Sequence, residues 1–181
     1  MEELRVYAHS SVENIPSILY WLLFVIICVG VVSLIWRKGP KDGLRTSSIL
    51  LLFEWLFFVL GIAVLFREAN AERAVRLIPF GSYFNIADNS YLLEVAAINL
   101  LNVILFVPIG MLLGCGYHDI NWKCVILIGV CFSVLIEILQ LLFKKGLCEV
   151  DDVIHNVLGC VIGYGIFQVV RLLFKPAINK K

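Results

Sequence analysis

Charge is scarce in this sequence. Its 181 residues include 15 Lys and Arg and 14 Asp and Glu, a charged share of 16%, against about 25% in soluble domains. That excludes a disordered chain and an ordinary soluble enzyme. There is no basic excess: the net charge is +1, which argues against a nucleic-acid binder. No C-x-x-C pair occurs among the six cysteines, so neither a disulfide framework nor a zinc site is indicated. Cys28, Cys131 and Cys160 lie in apolar runs, where cysteine behaves as a small hydrophobe. The leader also lacks the basic residues of a signal peptide, holding Glu2, Glu3 and Glu13 against Arg5. The apolar run behind it is too long for a signal core, and Arg37 and Lys38 follow it as a stop-transfer flank.

What is abundant is apolar length. Hydrophobic residues make up 61% of the chain, and the mean hydropathy is +0.93. A bilayer core needs about 20 helical residues per crossing. Five windows qualify: 15–36, 47–66, 96–114, 122–143 and 153–174. The expected fold is therefore all-α, a polytopic membrane helix bundle of about five spans. Short tails, three short loops and the longer connection 67–95 leave little room for a soluble domain. Lys and Arg favour the cytoplasmic side. Nine lie on the side of the 37–46 loop, Lys123 and the C-terminal tail, and six on the other. This predicts an external N-terminus and a cytoplasmic C-terminus.

Polar groups inside spans are costly and so informative. Glu54 sits within the second window without a basic residue in its own span, and no role is assigned to it. Three other groups stand out. In Arg73-x-x-Arg76-Leu-Ile-Pro79-Phe80, Pro79 forbids a regular helix and predicts a turn at the membrane surface. The arginines there either are simply solvated or clamp a phosphate, which suits the guanidinium fork. Asn99 and Asn102 share a helix face ahead of Pro108, which frees a backbone carbonyl. Bonding between helices is the better account of Asn99, while Asn102 fits that account and a functional one equally.

The third group is the densest. Ser133, Glu137 and Gln140 end the fourth span, and Lys144, Lys145, Gly146, Glu149, Asp151, Asp152, His155, Asn156, Gly159 and Gly163 follow. Glu137 and Gln140 lie at i and i+3. Asp152, His155 or Asn156, Gly159 and Gly163 share a face of the fifth span. Helix capping and close packing by Gly159-x-x-x-Gly163 account for Asp151 and the glycines. They do not account for Glu137, Asp152, His155 and Asn156 together, which point to a polar pocket.

These motifs resemble the VanZ family of bacterial membrane proteins. The matching stretches are Arg76-Leu-Ile-Pro79-Phe80, Asn102-x-x-x-Phe106-x-Pro108-x-Gly110, Ser133-x-x-x-Glu137-x-x-Gln140 and Asp151-Asp152-x-x-x-Asn156-x-x-Gly159-x-x-x-Gly163-Tyr164. They run through residues 76–164 in the family's order. Lys145-Gly146 departs from the family's Arg-Ser or Arg-Gly, Glu149 replaces an aspartate, and Leu101 stands where glycine is frequent. The resemblance divides the chain into two N-terminal spans (1–66), a VanZ-like membrane domain (67–174) and a basic tail (175–181). It implies a link to teicoplanin resistance, for which the family is named. It also implies kinship with enzymes acting on lipid head groups and lipid-linked glycans, a grouping proposed by fold comparison.

Two functions follow. The first is an enzyme at the outer membrane face, acting on a phosphate-linked lipid head group or lipid-linked wall precursor. Its catalytic group would be Glu137, Asp152, His155 and Asn156, with a carboxyl as general acid or base and the imidazole sharing that work. Arg76, Asn102, Gln140 and Lys145 would bind and orient substrate. Asp151 and Asp152, with Glu149, could hold Mg²⁺ or Ca²⁺, although the sequence requires neither. No serine or cysteine sits convincingly beside the imidazole, so no covalent route is indicated, and Cys148 is a weak candidate. The second function is non-catalytic: binding of envelope lipid or antibiotic, or stabilisation of a partner complex. A transporter fits less well, because no internal repeat is visible.

Overall fold

The computed structural model describes residues 40–65, 67, 75–81, 83, 89–117 and 119–178, with isolated residues between 26 and 37. Among the described residues the chain is all-α apart from two two-residue strands. Helix α1 (Pro40–Leu60) runs into a π-helical turn (Gly61–Leu65). Strand β1 (Val75–Arg76), α2 (Asn89–Gly116), α3 (Trp122–Phe143), β2 (Cys148–Glu149) and α4 (Val150–Ile178) follow. Four helical stretches among the described residues are long and apolar enough to cross a membrane: Gly43–Leu65, Tyr91–Gly116, Trp122–Phe143 and Val150–Leu173. They correspond to the second to fifth windows. The first window, 15–36, lies mostly outside the described residues.

Each helix has local causes. Asn121 caps α3 by accepting a hydrogen bond from the Cys124 amide at 2.9 Å. Lys144 ends the same helix in a left-handed conformation (φ 57°). It therefore leaves the helical stripe that the i, i+3 spacing of Glu137 and Gln140 would extend to it. Pro108 sits inside α2 without ending it. Proline withholds the hydrogen bond due to the Ile104 carbonyl. At the neighbouring carbonyl, that of Leu105, the Trp55 indole donates at 2.8 Å.

Packing is set by α4, which lies against both α2 and α3, while α1 packs on α2. Glycines make the α2–α4 contact unusually close. A Cβ at Gly159 would lie 2.2 Å from the Val103 carbonyl oxygen, and one at Gly163 would lie 1.9 Å from that of Val107. Gly110 answers from α2, where a Cβ would meet the Cys160 carbonyl oxygen at 1.9 Å. The core around this seam contains Phe106, Ile109, Val125, Cys160 and Tyr164, each at most 2% exposed. Only 22–33% of each spanning window is buried within the chain. Large apolar side chains such as Phe53, Leu93, Leu127 and Leu172 thus remain on the outer surface, as lipid-facing helices require.

The parallel pairing of β1 with β2 ties the 67–95 connection to the α3–α4 junction, with Arg76 opposite Glu149 in register. It brings the end of α1, the start of α2, the end of α3 and the start of α4 to one end of the bundle.

Candidate functional site

Two bonds shape that end from the α1 side. Two carbonyl groups of the π-turn take donors from α3 and from the residue just past its cap. Gln140 Nε2 donates to the Ala63 carbonyl at 3.1 Å, and Lys145 Nζ donates to that of Leu65 at 2.9 Å. These two residues, expected to bind substrate, make the bonds that close α1. Arg67 follows two positions after the π-turn, and its guanidinium lies over Gly146, where a Cβ would approach Nη1 to 2.9 Å.

The other side is built by α4. Asp151 is buried, and its Oδ1 accepts a hydrogen bond from the Phe80 amide. It thereby fixes the turn at residues 78–81, where Phe80 has φ 58°. That turn is the one Pro79 predicted. His155 Nδ1 lies 2.6 Å from the Asp151 carbonyl oxygen. A carbonyl only accepts, so Nδ1 carries the proton. Nε2 then faces the Tyr83 hydroxyl at 3.5 Å, and that hydroxyl accepts from Asn99 Nδ2. Asp152 points elsewhere: its Oδ1 accepts from Asn102 Nδ2 at 2.8 Å. Successive helical residues diverge by about 100°, and the two carboxylates accept from different elements, Asp151 from Phe80 and Asp152 from Asn102. Among the described residues no group of three or more His, Cys, Asp or Glu side chains is disposed to hold a metal ion.

Glu137 and Asn156 lie inside the bundle. Glu137 is buried, and its Oε2 accepts from the Glu149 amide at 2.9 Å, which anchors β2. It senses the negative charges of Asp152 and Glu149 and the positive charge of Arg67. Asn156 Nδ2 donates to Ser133 Oγ at 2.8 Å, and neither Asn156 Oδ1 nor Gln140 Oε1 has a hydrogen-bond partner.

A cavity of about 190 Å³ opens between these elements, lined by Arg67, Arg76, Tyr91, Val95, Ile98, Asn99, Leu147, Glu149 and Asp152. Arg76 Nη1 meets Glu149 Oε1 at 3.0 Å across its mouth. Of the residues singled out in the sequence as catalytic or substrate-binding, Arg76 and Asp152 line it directly. Asn102 reaches it through Asp152, and His155 is connected to it through Tyr83 and Asn99. Glu137, Gln140, Lys145 and Asn156 stand behind it. Sequence reasoning missed Arg67, which directly follows a span and reads as a flanking charge. It also missed Tyr83 and Tyr91, which belong to no periodic pattern. Electrostatically, Asp152 interacts with Glu149, Arg67, His155 and Asp151. Outside the spans, burial pushes the Cys148 thiol up from its ordinary pKa, and Glu137, Asp152 and Glu149 push it further.

The profile of one known family, VanZ/LLP1, matches residues 19–171. The chain belongs to the VanZ/LLP1 family. Its relatives include Protein VanZ of Enterococcus faecium, 26% identical over 133 residues, covering 72% of this chain and 74% of that protein. No solved structure matches it. VanZ/LLP1 membership and the four apolar helices make this a membrane protein. The VanZ/LLP1 match includes α1, α2 and α3 and all but the end of α4, so it takes in every residue that lines the cavity.

Proposed function

We propose that this chain is a multi-pass protein of the bacterial cell membrane that binds and acts on a phosphate-bearing lipid head group or lipid-linked wall precursor at the outer face. A contribution to teicoplanin resistance belongs to the same proposal. The observation that carries it is the cavity where Arg67 and Arg76 face Asp152. Two guanidinium groups suit a phosphate. A carboxylate fixed by Asn102 beside them suits proton transfer at the phosphate ester. Asn99 on the cavity wall, with Tyr83 and His155 behind it, forms a line of positioning residues. Glu137, Gln140, Lys145 and Asn156 hold the elements that carry it. The outer location rests on the count of nine basic residues against six, and two of the six, Arg67 and Arg76, line the cavity itself. A non-catalytic role is the second reading. It is favoured by the internal hydrogen bonds of Glu137, Gln140, Lys145 and Asn156, which would serve a binding protein equally well.

The deciding experiment compares Asp152→Asn with Asp151→Asn. Asparagine at 151 keeps an oxygen to accept from the Phe80 amide, whereas asparagine at 152 cannot transfer a proton. Purified protein in vesicles of bacterial lipid would be followed for head-group turnover, and cells for teicoplanin susceptibility. Asp152→Asn is expected to lose about 10²-fold or more in turnover while accumulating normally in the membrane, and Asp151→Asn to stay close to wild type. Full activity in both variants would overturn the catalytic reading in favour of the binding one.

A further inference from the structure

We infer that the cavity selects a zwitterionic head group: a phosphate carrying a primary amine a few bonds away, as in phosphoethanolamine. The inference rests on the reading of this cavity as a phosphate head-group site and narrows its ligand.

Charge is the first argument. The lining contains two guanidinium groups, Arg67 and Arg76, and two carboxylates, Glu149 and Asp152. Its formal sum is zero. A net anionic head group would satisfy the guanidiniums but place its charge beside both carboxylates. It would also draw Arg76 away from Glu149, leaving a carboxylate of low exposure without its partner. A zwitterion replaces the Arg76–Glu149 pair with two others, phosphate to arginine and ammonium to carboxylate.

Depth is the second argument. The Arg76 side chain is 53% exposed and that of Glu149 16%. Asp152 lies further in, bonded to Asn102. Arg76 therefore marks the rim, while Glu149, Asp152 and the half-buried Arg67 lie further in. A lipid phosphate enters at the rim, and the amine beyond it continues inward to Glu149 and Asp152. Val95, Ile98 and Leu147 supply apolar walls for the connecting methylenes.

Size is the third. At about 190 Å³ the cavity is smaller than the roughly 300–1,000 Å³ pockets that enclose drug-sized ligands. It holds one head group and has no room for an oligosaccharide with its peptide.

The test uses the purified full chain in detergent, with native mass spectrometry counting retained lipid. Phosphatidylethanolamine, phosphatidylcholine, phosphatidylglycerol and phosphatidic acid are each added at equal concentration. Phosphatidylethanolamine is expected to be retained about tenfold more than phosphatidylglycerol, the worth of one charge-assisted hydrogen bond. Phosphatidylcholine, whose quaternary ammonium cannot donate, should fall below it. Glu149→Gln preserves the backbone amide that Glu137 holds and should shrink the preference to within about twofold. Stronger retention of phosphatidylglycerol or phosphatidic acid by the wild-type chain would overturn the zwitterion inference and leave the phosphate site standing. An unchanged preference in Glu149→Gln, with Asp152→Asn also unchanged, would likewise overturn it. If no phospholipid is retained more by wild type than by an Arg67→Gln, Arg76→Gln double variant, the phosphate site itself falls, and this inference with it.

Discussion

Asn102 and Asp152 are 50 residues apart in sequence, yet Asn102 Nδ2 donates to Asp152 Oδ1 at 2.8 Å. The bond joins α2 to α4 just above the seam where Gly159 meets the Val103 backbone. Close approach of the two helices is thus what allows an amide on one to aim the carboxylate of the other. Asn102→Leu removes that donor, and hydrogen bonds to charged groups are worth about 1.5–3 kcal/mol. Head-group turnover should fall about tenfold or more, with little change in membrane accumulation. Asn102→Asp, which sets a second carboxylate against the first, should be worse. Wild-type turnover in the leucine variant would detach Asn102 from the site.

Glu137 carries a different expectation. Its carboxylate holds the Glu149 amide behind the cavity and does not line it. Glu137→Gln retains an accepting oxygen and should lower lipid retention by less than about threefold. Glu137→Leu leaves a half-buried amide without its acceptor, at a cost of about 1–3 kcal/mol, and should loosen β2 and Arg76 together. Melting temperature and lipid retention would be measured for both. A glutamine variant with a normal melting temperature but no turnover would return Glu137 to direct proton transfer.

The glycine seam predicts a contrast between neighbours. A Cβ at Gly163 would stand 1.9 Å from the Val107 carbonyl oxygen, whereas one at Gly165 would sit 3.5 Å from the Trp122 ring. Gly163→Ala should destabilise the bundle by about 1–3 kcal/mol, the usual range for overpacking. Gly165→Ala should be neutral or stabilising by up to about 1 kcal/mol, because alanine favours the helix. Thermal unfolding in detergent separates the two, and equal melting temperatures would contradict the close α2–α4 contact.

Cys148 reports on the charge around the cavity. Its thiol is pushed up by burial and by Glu137, Asp152 and Glu149, so at a given pH it carries less thiolate than a free cysteine. In a variant retaining only Cys148, maleimide labelling should rise with a midpoint above the ordinary thiol value of about 8.5. Glu149→Gln in that background removes one negative charge and should move the midpoint down. A midpoint at or below the ordinary value would mean that the acids do not surround this thiol.

Much of the site was legible, because bilayer physics makes polar residues conspicuous. Asn102 stood out inside an apolar span and Asp152 at the edge of one, Pro79 announced the turn before α2, and Gly159 and Gly163 announced a helix contact. What helical spacing could not give was the direction of each side chain across helices. Asp152, His155 and Asn156 share a face by periodicity, but their bonds go to α2, to the Asp151 carbonyl and to α3. Gln140 and Lys145 looked like ligand contacts; they donate to carbonyl groups of the π-turn and do not line the cavity. Nothing in the local sequence forecast that turn.

The sequence by itself determined the apolar helices, their approximate limits, and the polar residues that a membrane protein would not keep without a use. Those outcomes depend on local composition and on the cost of burying charge, which act on each segment separately. The tertiary structure decided which polar groups share a cavity. Arg67 and Arg76, from the connection, meet Asp152 only because β1 pairs with β2 and α4 lies close against α2. Such contacts are long-range, fixed by packing between segments far apart in the chain, and no periodicity within one segment encodes them.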